Sequence, residues 1–127
     1  MVVLRRICIA LVAVLLVGTV FWHSAKVSNA VDDLISSIEI IEKDISAKEK
    51  DISLKEIDDL IMLWSDYNNT LSCTFEHQYL DNITMLIYSL RSLYIQDADS
   101  VYSALYEIKW SIENMRNMQQ VNWGNLF

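Results

Sequence analysis

From Val27 onward the apolar residues of this chain recur in alternating steps of four and three: Val27, Val31, Leu34, Ile38, Ile41 and Ile45 come first. That interval keeps them on one stripe of a helix with 3.6 residues per turn. Asp32, Asp33, Glu39 and Asp44 fall off the stripe and Glu42 borders it. The pattern returns three times. A second stripe runs through Leu60, Ile61, Trp64, Tyr67 and Leu71. A third holds Leu80, Ile83, Ile87, Leu90 and Tyr94, widened by Leu86 and Leu93, and a fourth holds Val101, Leu105, Ile108, Ile112 and Met115.

Between these stripes the chain has few means of turning into anything but helix. It contains no Pro and only Gly18 and Gly124, whereas sheets lean on both residues for their turns. Ser53-Leu54-Lys55-Glu56 has the form of a capping box opening the second helix, and Ile52 with Ile57 has the spacing of a hydrophobic staple around it. Gln96-Asp97-Ala98-Asp99-Ser100 interrupts the third pattern and supplies N-cap acids for the fourth helix. Asn122-Trp123-Gly124-Asn125 reads as the fourth helix's end. The expectation is an all-α chain in which an N-terminal transmembrane helix leads into an antiparallel four-helix bundle, with helices of about 15–22 residues. The alternative is a long two-helix hairpin, continuous through Asn68 to Gln78, that dimerises into a bundle.

The N-terminus constrains location. Arg5-Arg6 precede an unbroken apolar block, Ile7 to Trp22. Its 16 residues fall between a signal-peptide core of roughly 7–15 and a spanning helix of about 20. Snorkelling by Arg6 and an aromatic belt at Phe21-Trp22 extend the effective span. Ser28-Asn29-Ala30 offers the small residues a signal peptidase prefers, but it lies eight residues past the block, within the first stripe. A retained signal anchor over residues 1–26 is therefore expected, followed by a helical bundle over 27–127. The arginines place the N-terminus inside and the bundle on the extracytoplasmic side, so that little beyond Met1–Arg6 stays in the cytoplasm.

The charge restricts what such a bundle touches. The whole chain carries −7, but Arg5, Arg6 and Lys26 fall in the first 26 residues with no acid, leaving residues 27–127 at −10. A nucleic-acid surface is basic, so nucleic acid is set aside. So acidic a surface also resists lying flat on anionic lipid.

Chemistry-bearing motifs are sparse. Cys73 is the single thiol after the apolar block, Cys8 lying within it, so no disulfide can close in one copy. Its plainest role is a small buried apolar residue. Cys73 and His77, four apart, would share a face if the helix were continuous there, but a closed zinc site needs four ligands. Paired Glu-x-x-His motifs, a haem-attachment Cys-x-x-Cys-His, a glycine-rich phosphate loop and a nucleophile elbow are all missing. No cofactor, metal or catalytic residue is expected, and the chain is not expected to be an enzyme.

One group lies off the core stripe. Tyr102, Tyr106 and Trp110 follow at steps of four on the fourth helix, and at about 100° per residue Trp110 falls nearly opposite Val101. They either cover a neighbouring helix's flank or form a contact for a protein partner or a second copy.

The membrane helix, Trp64 in the second exported helix, the pair Glu76-His77 opening the third and the tail Asn125-Leu126-Phe127 together resemble a family of short proteins from clostridia and related bacteria, known as a domain of unknown function. The resemblance implies a Gram-positive, membrane-anchored helical protein and brings no activity or ligand with it. It draws attention to Trp64 and His77, which would pack together near a helix junction. Three functions follow as expectations. First is an accessory or scaffold module that binds an unknown protein partner or itself. Second is a small-ligand-sensing bundle acting through a partner, which a buried polar pocket would favour. Third is a metal-dependent activity at Cys73 and His77.

Overall fold

The computed structural model describes the backbone of residues 1–47 and 50–126 and the side chains of 1–47, 51–97 and 99–119. Four helices account for nearly all of it: α1 (Val2–Ser46), α2 (Lys50–Leu71), α3 (His77–Gln96) and α4 (Ala98–Leu126). Helix α1 packs on α2 and α4, and α3 packs on the same two, while neither diagonal pair makes contact among the described residues. Sequential neighbours joined by short links around a square define an up-and-down antiparallel bundle.

α1 is a single 45-residue helix, about 68 Å long at 1.5 Å per residue. Its first part is long and apolar enough to cross a membrane, and none of that window is buried. Burial begins at Val27 and then follows the stripe: Val27, Val31, Leu34, Ile38, Ile41 and Ile45 are all inside, with Ala30 beside them. The third and fourth stripes behave alike, whereas the second keeps Leu60, Trp64 and Leu71 inside and leaves Ile61 and Tyr67 only partly buried. Ile57, Leu60, Trp64 and Leu71 of α2, the whole α3 stripe from Leu80 to Tyr94, and the α4 stripe from Val101 to Met115 complete one core. Fully burying each aliphatic side chain stabilises the fold by about 1.5–3 kcal/mol, which lets four amphipathic helices hold together without a cross-link.

Three long-range polar pairs set the α1–α4 register. Ser46 meets Tyr102, Glu39 meets Lys109 and Asp32 meets Arg116, and the residue numbers in each pair sum to 148. The two helices therefore run antiparallel without slippage along the length of the contact. On the opposite side Arg91 of α3 pairs with Asp58 of α2 at 2.5 Å. Exposed pairs of this kind contribute little stability each, so they choose alignment more than they hold the helices together.

Several local expectations are overturned. α2 begins at Lys50, one turn before Ser53, and Ser53 is fully buried while Ile52 is exposed. Neither the capping box nor the staple forms, because Ser53 continues the inward stripe of Ile57, Leu60 and Trp64 and tertiary packing takes it inside. α4 runs 29 residues to Leu126, past the expected stop at Asn122–Asn125 and beyond the expected helix length. One internal Gly costs a helix about 1 kcal/mol, which an established helix can absorb. Phe127, the last residue of the tail, lies outside the described residues.

The dimerising hairpin is also excluded for this chain, because the helix breaks after Leu71. Residues 72–76 form a tight link, in which the amides of Thr74 and Phe75 both donate to the Leu71 carbonyl at 3.0 Å. At the α3–α4 corner Asp97 does cap: its Oδ1 accepts the Asp99 amide at 3.1 Å.

The core account makes a direct prediction. Ile38→Ala and Ile87→Ala should each lower the unfolding free energy by about 2–5 kcal/mol. Ile40→Ala, on the exposed face of the same α1 helix, should change it by no more than about 0.5 kcal/mol. Denaturant titration of the full chain in mild detergent, followed by helical circular dichroism, measures all three.

Candidate functional site

On α4 the residues Val101, Leu105, Ile108 and Ile112 point into the core. A helix turned inward along that line must turn Tyr106 and Trp110 outward, and they are 71% and 59% exposed. Tyr102 is different. At 38% exposed it lies over the flank of α1, where its hydroxyl shares a hydrogen bond with the Ser46 hydroxyl at 3.0 Å. The three aromatics therefore divide: Tyr102 covers a neighbouring helix, and Tyr106 and Trp110 stand open. Between them Lys109 reaches Glu39 at 3.3 Å. Tyr106, Lys109 and Trp110 line a shallow groove along the α1–α4 seam together with Glu42 and Glu113. The groove thus presents aromatic surface beside acidic side chains.

The other sequence candidates scatter. Trp64 is 1% exposed, and its indole Nε1 donates to Thr84 Oγ1 at 2.8 Å. Thr84 in turn donates to the Leu80 carbonyl at 2.9 Å. Trp64 therefore fastens α2 to α3 from within the core. His77 does not pack against it: His77 is the first residue of α3 and is exposed, with Thr84 two turns further on taking the place expected for it. Glu76 holds the N-cap position of α3 in extended backbone, φ −63° and ψ 141°, and its side chain makes no capping bond.

Cys73 is exposed rather than buried. It sits in the link after α2, its thiol donating to the Asn69 carbonyl at 3.5 Å. The link also separates Cys73 from α3, so Cys73 and His77 share no helix face. Among the described residues no three His, Cys, Asp or Glu side chains gather as metal ligands would.

Two polar ties link segments that are far apart in sequence. His23, at the end of the apolar part of α1, hydrogen bonds to Thr74 of the α2–α3 link. Tyr67 of α2 donates to the Asp33 carboxylate of α1. A separation of 51 residues in the first and 34 in the second leaves no local pattern from which either could be read. Tyr79 of α3 similarly donates to the Ser111 carbonyl of α4 at 2.5 Å.

The sequence of residues 21–126 matches the family described as Domain of unknown function (DUF4363). The chain belongs to this family. No curated protein and no solved structure matches it. The DUF4363 region begins at Phe21, inside α1 and before the first core residue, and takes in the whole bundle. The family's region and the packed unit therefore coincide, and α1 belongs to the DUF4363 fold as well as to the apolar segment ahead of it.

The cross-helix tyrosines give the DUF4363 bundle a signature at alkaline pH. The hydrogen bond to Asp33 holds the Tyr67 phenol above its ordinary value, with burial and the charges of Asp33 and Asp66 adding to it. Burial raises Tyr79, against the opposing effect of its bonds to Asn114 and Ser111. A phenol that ionises later when folded contributes stability fully present below its unfolded pKa of about 10, and that stability is lost as pH rises through the folded value. Tyr67→Phe and Tyr79→Phe should each flatten the fall in thermal midpoint above about pH 10, measured by circular dichroism across an alkaline series. In the same assay at neutral pH, Trp64→Ala should cost about 3–5 kcal/mol, while His77→Ala should leave stability unchanged to within about 0.5 kcal/mol.

Proposed function

We propose that this protein is a single-pass membrane-anchored module whose extracytoplasmic bundle docks a protein partner, serving as an accessory or scaffold component and not as an enzyme. The observation that carries the reading is the open pair Tyr106 and Trp110, 71% and 59% exposed on a helix whose core face is already complete. Exposed aromatics that the fold does not need are typical of interface anchors. The acidic groups Glu42 and Glu113 beside them suit a partner that offers apolar side chains ringed by Lys or Arg.

Anchoring is supported by the length and composition of α1 before Val27, and by Arg5-Arg6 at one end with Phe21-Trp22 at the other. The same arginines support a bundle facing away from the cytoplasm. Retention of the anchor is supported by Ala30, the residue before the possible cleavage point: it is wholly buried within a continuous helix, where a peptidase cannot reach an extended backbone. The ligand-sensing alternative has less to stand on. Ser53 is the one buried polar side chain among the described residues, and the rest of the buried set is hydrophobic.

The test is a full-length Tyr106→Ser, Trp110→Ser double variant, cross-linked in the native membrane beside the unaltered chain. The expected result is loss of the cross-linked complex with an unchanged thermal midpoint. A chain that stays monomeric in detergent and brings no reproducible protein out of the membrane would overturn the proposal.

A further inference from the structure

The α1–α4 register continues past the core. Pairs summing to 148 at Ser46–Tyr102, Glu39–Lys109 and Asp32–Arg116 bring α4 back along α1 toward the apolar segment. Carried on along the helix, that register sets Val121 level with Val27, Trp123 level with Ala25 and Leu126 level with Trp22. α4 is therefore not merely longer than α3; its extra turns return to the edge of the apolar segment. The α2–α3 link arrives at the same level, since Thr74 touches His23. No flexible spacer separates the bundle from the apolar helix, because α1 is unbroken from Val2 to Ser46.

The charge distribution matches this placement. After Arg116 the sequence Asn117-Met118-Gln119-Gln120-Val121-Asn122-Trp123-Gly124-Asn125-Leu126 carries no charge, and between Ile7 and Val31 the only formal charge is Lys26. Ser72-Cys73-Thr74-Phe75 of the link is uncharged as well. Apart from Glu76 at the start of α3, the acids of this strongly negative bundle lie further out, with Asp44, Asp51, Asp97 and Asp99 at the far end. One end of the bundle thus carries few of the charges that would resist a headgroup layer, and it is the end that meets the apolar helix. Trp and uncharged polar residues are what the membrane interface accepts. Trp22 already has the form of such an anchor, with the Lys26 ammonium 3.7 Å above its ring.

We propose that the last two turns of α4, residues 119–126, form a second membrane contact, seating the near end of the bundle in the lipid headgroup layer beside Trp22. This rests on the single-pass reading above and adds a statement about the opposite end of the chain. The segment supplies about 12 Å of helix, enough to cross the interfacial layer while the stripe ending at Met115 stays in the core. The bundle is then held at two points, at the exit of α1 and at the end of α4, and cannot swing about a single helix.

The test uses the full-length chain in phosphatidylcholine vesicles whose lipids are brominated high on the acyl chains, so that only tryptophans at the interface are quenched. By the same register Trp110 is level with Ile38, about 24 Å from Trp22 along α1, and Trp64 is in the core. Neither should be quenched. If Trp22 and Trp123 lie at similar depth, Trp22→Phe and Trp123→Phe should each remove about half of the lipid-quenchable fluorescence, and Trp110→Phe should remove none. A matching thermal midpoint confirms that each variant is folded. Quenchable fluorescence abolished by Trp22→Phe but unchanged by Trp123→Phe would overturn the proposal and leave the anchor intact. That result is also what a second copy or another protein covering the end of α4 would give. No quenching of Trp22 in the unaltered chain would overturn the anchor reading, and this contact with it.

Discussion

The unbroken hydrogen-bond ladder of α1, from Val2 to Ser46, is the constraint on which the rest of the structure depends. One stretch of that helix is exposed and apolar throughout; the next buries a narrow stripe from Val27 to Ile45. With no Pro and no Gly after position 18 in this helix, nothing allows the backbone to hinge where one regime gives way to the other. The direction of the apolar segment therefore sets the direction of the bundle axis. α2 and α4 are laid along α1, and α3 closes the square from the far side.

Within the square, cohesion and alignment come from different interactions. Cohesion is the burial of branched aliphatic side chains in four facing stripes, with Trp64 the largest member. Such burial is non-directional and would tolerate a helix sliding by a turn. Directional bonds at the margins remove that freedom: Asp32 with Arg116, Glu39 with Lys109, Asp58 with Arg91, and Trp64 with Thr84. Tyr67 on Asp33 and His23 on Thr74 tie the α2 side of α1 in the same way. Each contributes little energy alone, yet together they select one register from several that the core would accept. The net charge of residues 27–127 helps here too, since so acidic a chain places its few cations opposite particular acids.

The sequence determined by itself three of the four buried stripes. Every residue of the stripe from Val27 to Ile45, of that from Leu80 to Tyr94, and of that from Val101 to Met115 is buried, because a 3.6-residue period leaves a helix one face to bury and the chain holds no residue to break it. The apolar character of the leading segment and the outward turn of Trp110 were legible for the same reason. Tertiary structure decided what depends on partners remote in the chain. Ser53, a good cap on local grounds, is interior because the core claims its position. Cys73 is exposed, and His77 is remote from Trp64, because the helix breaks after Leu71 and Thr84 is the residue brought level with the indole. Tyr102 parts company with Tyr106 and Trp110 because Ser46 happens to lie across from it. Local spacing states which way a side chain faces along its own helix; only the packing of a second helix states what, if anything, it faces.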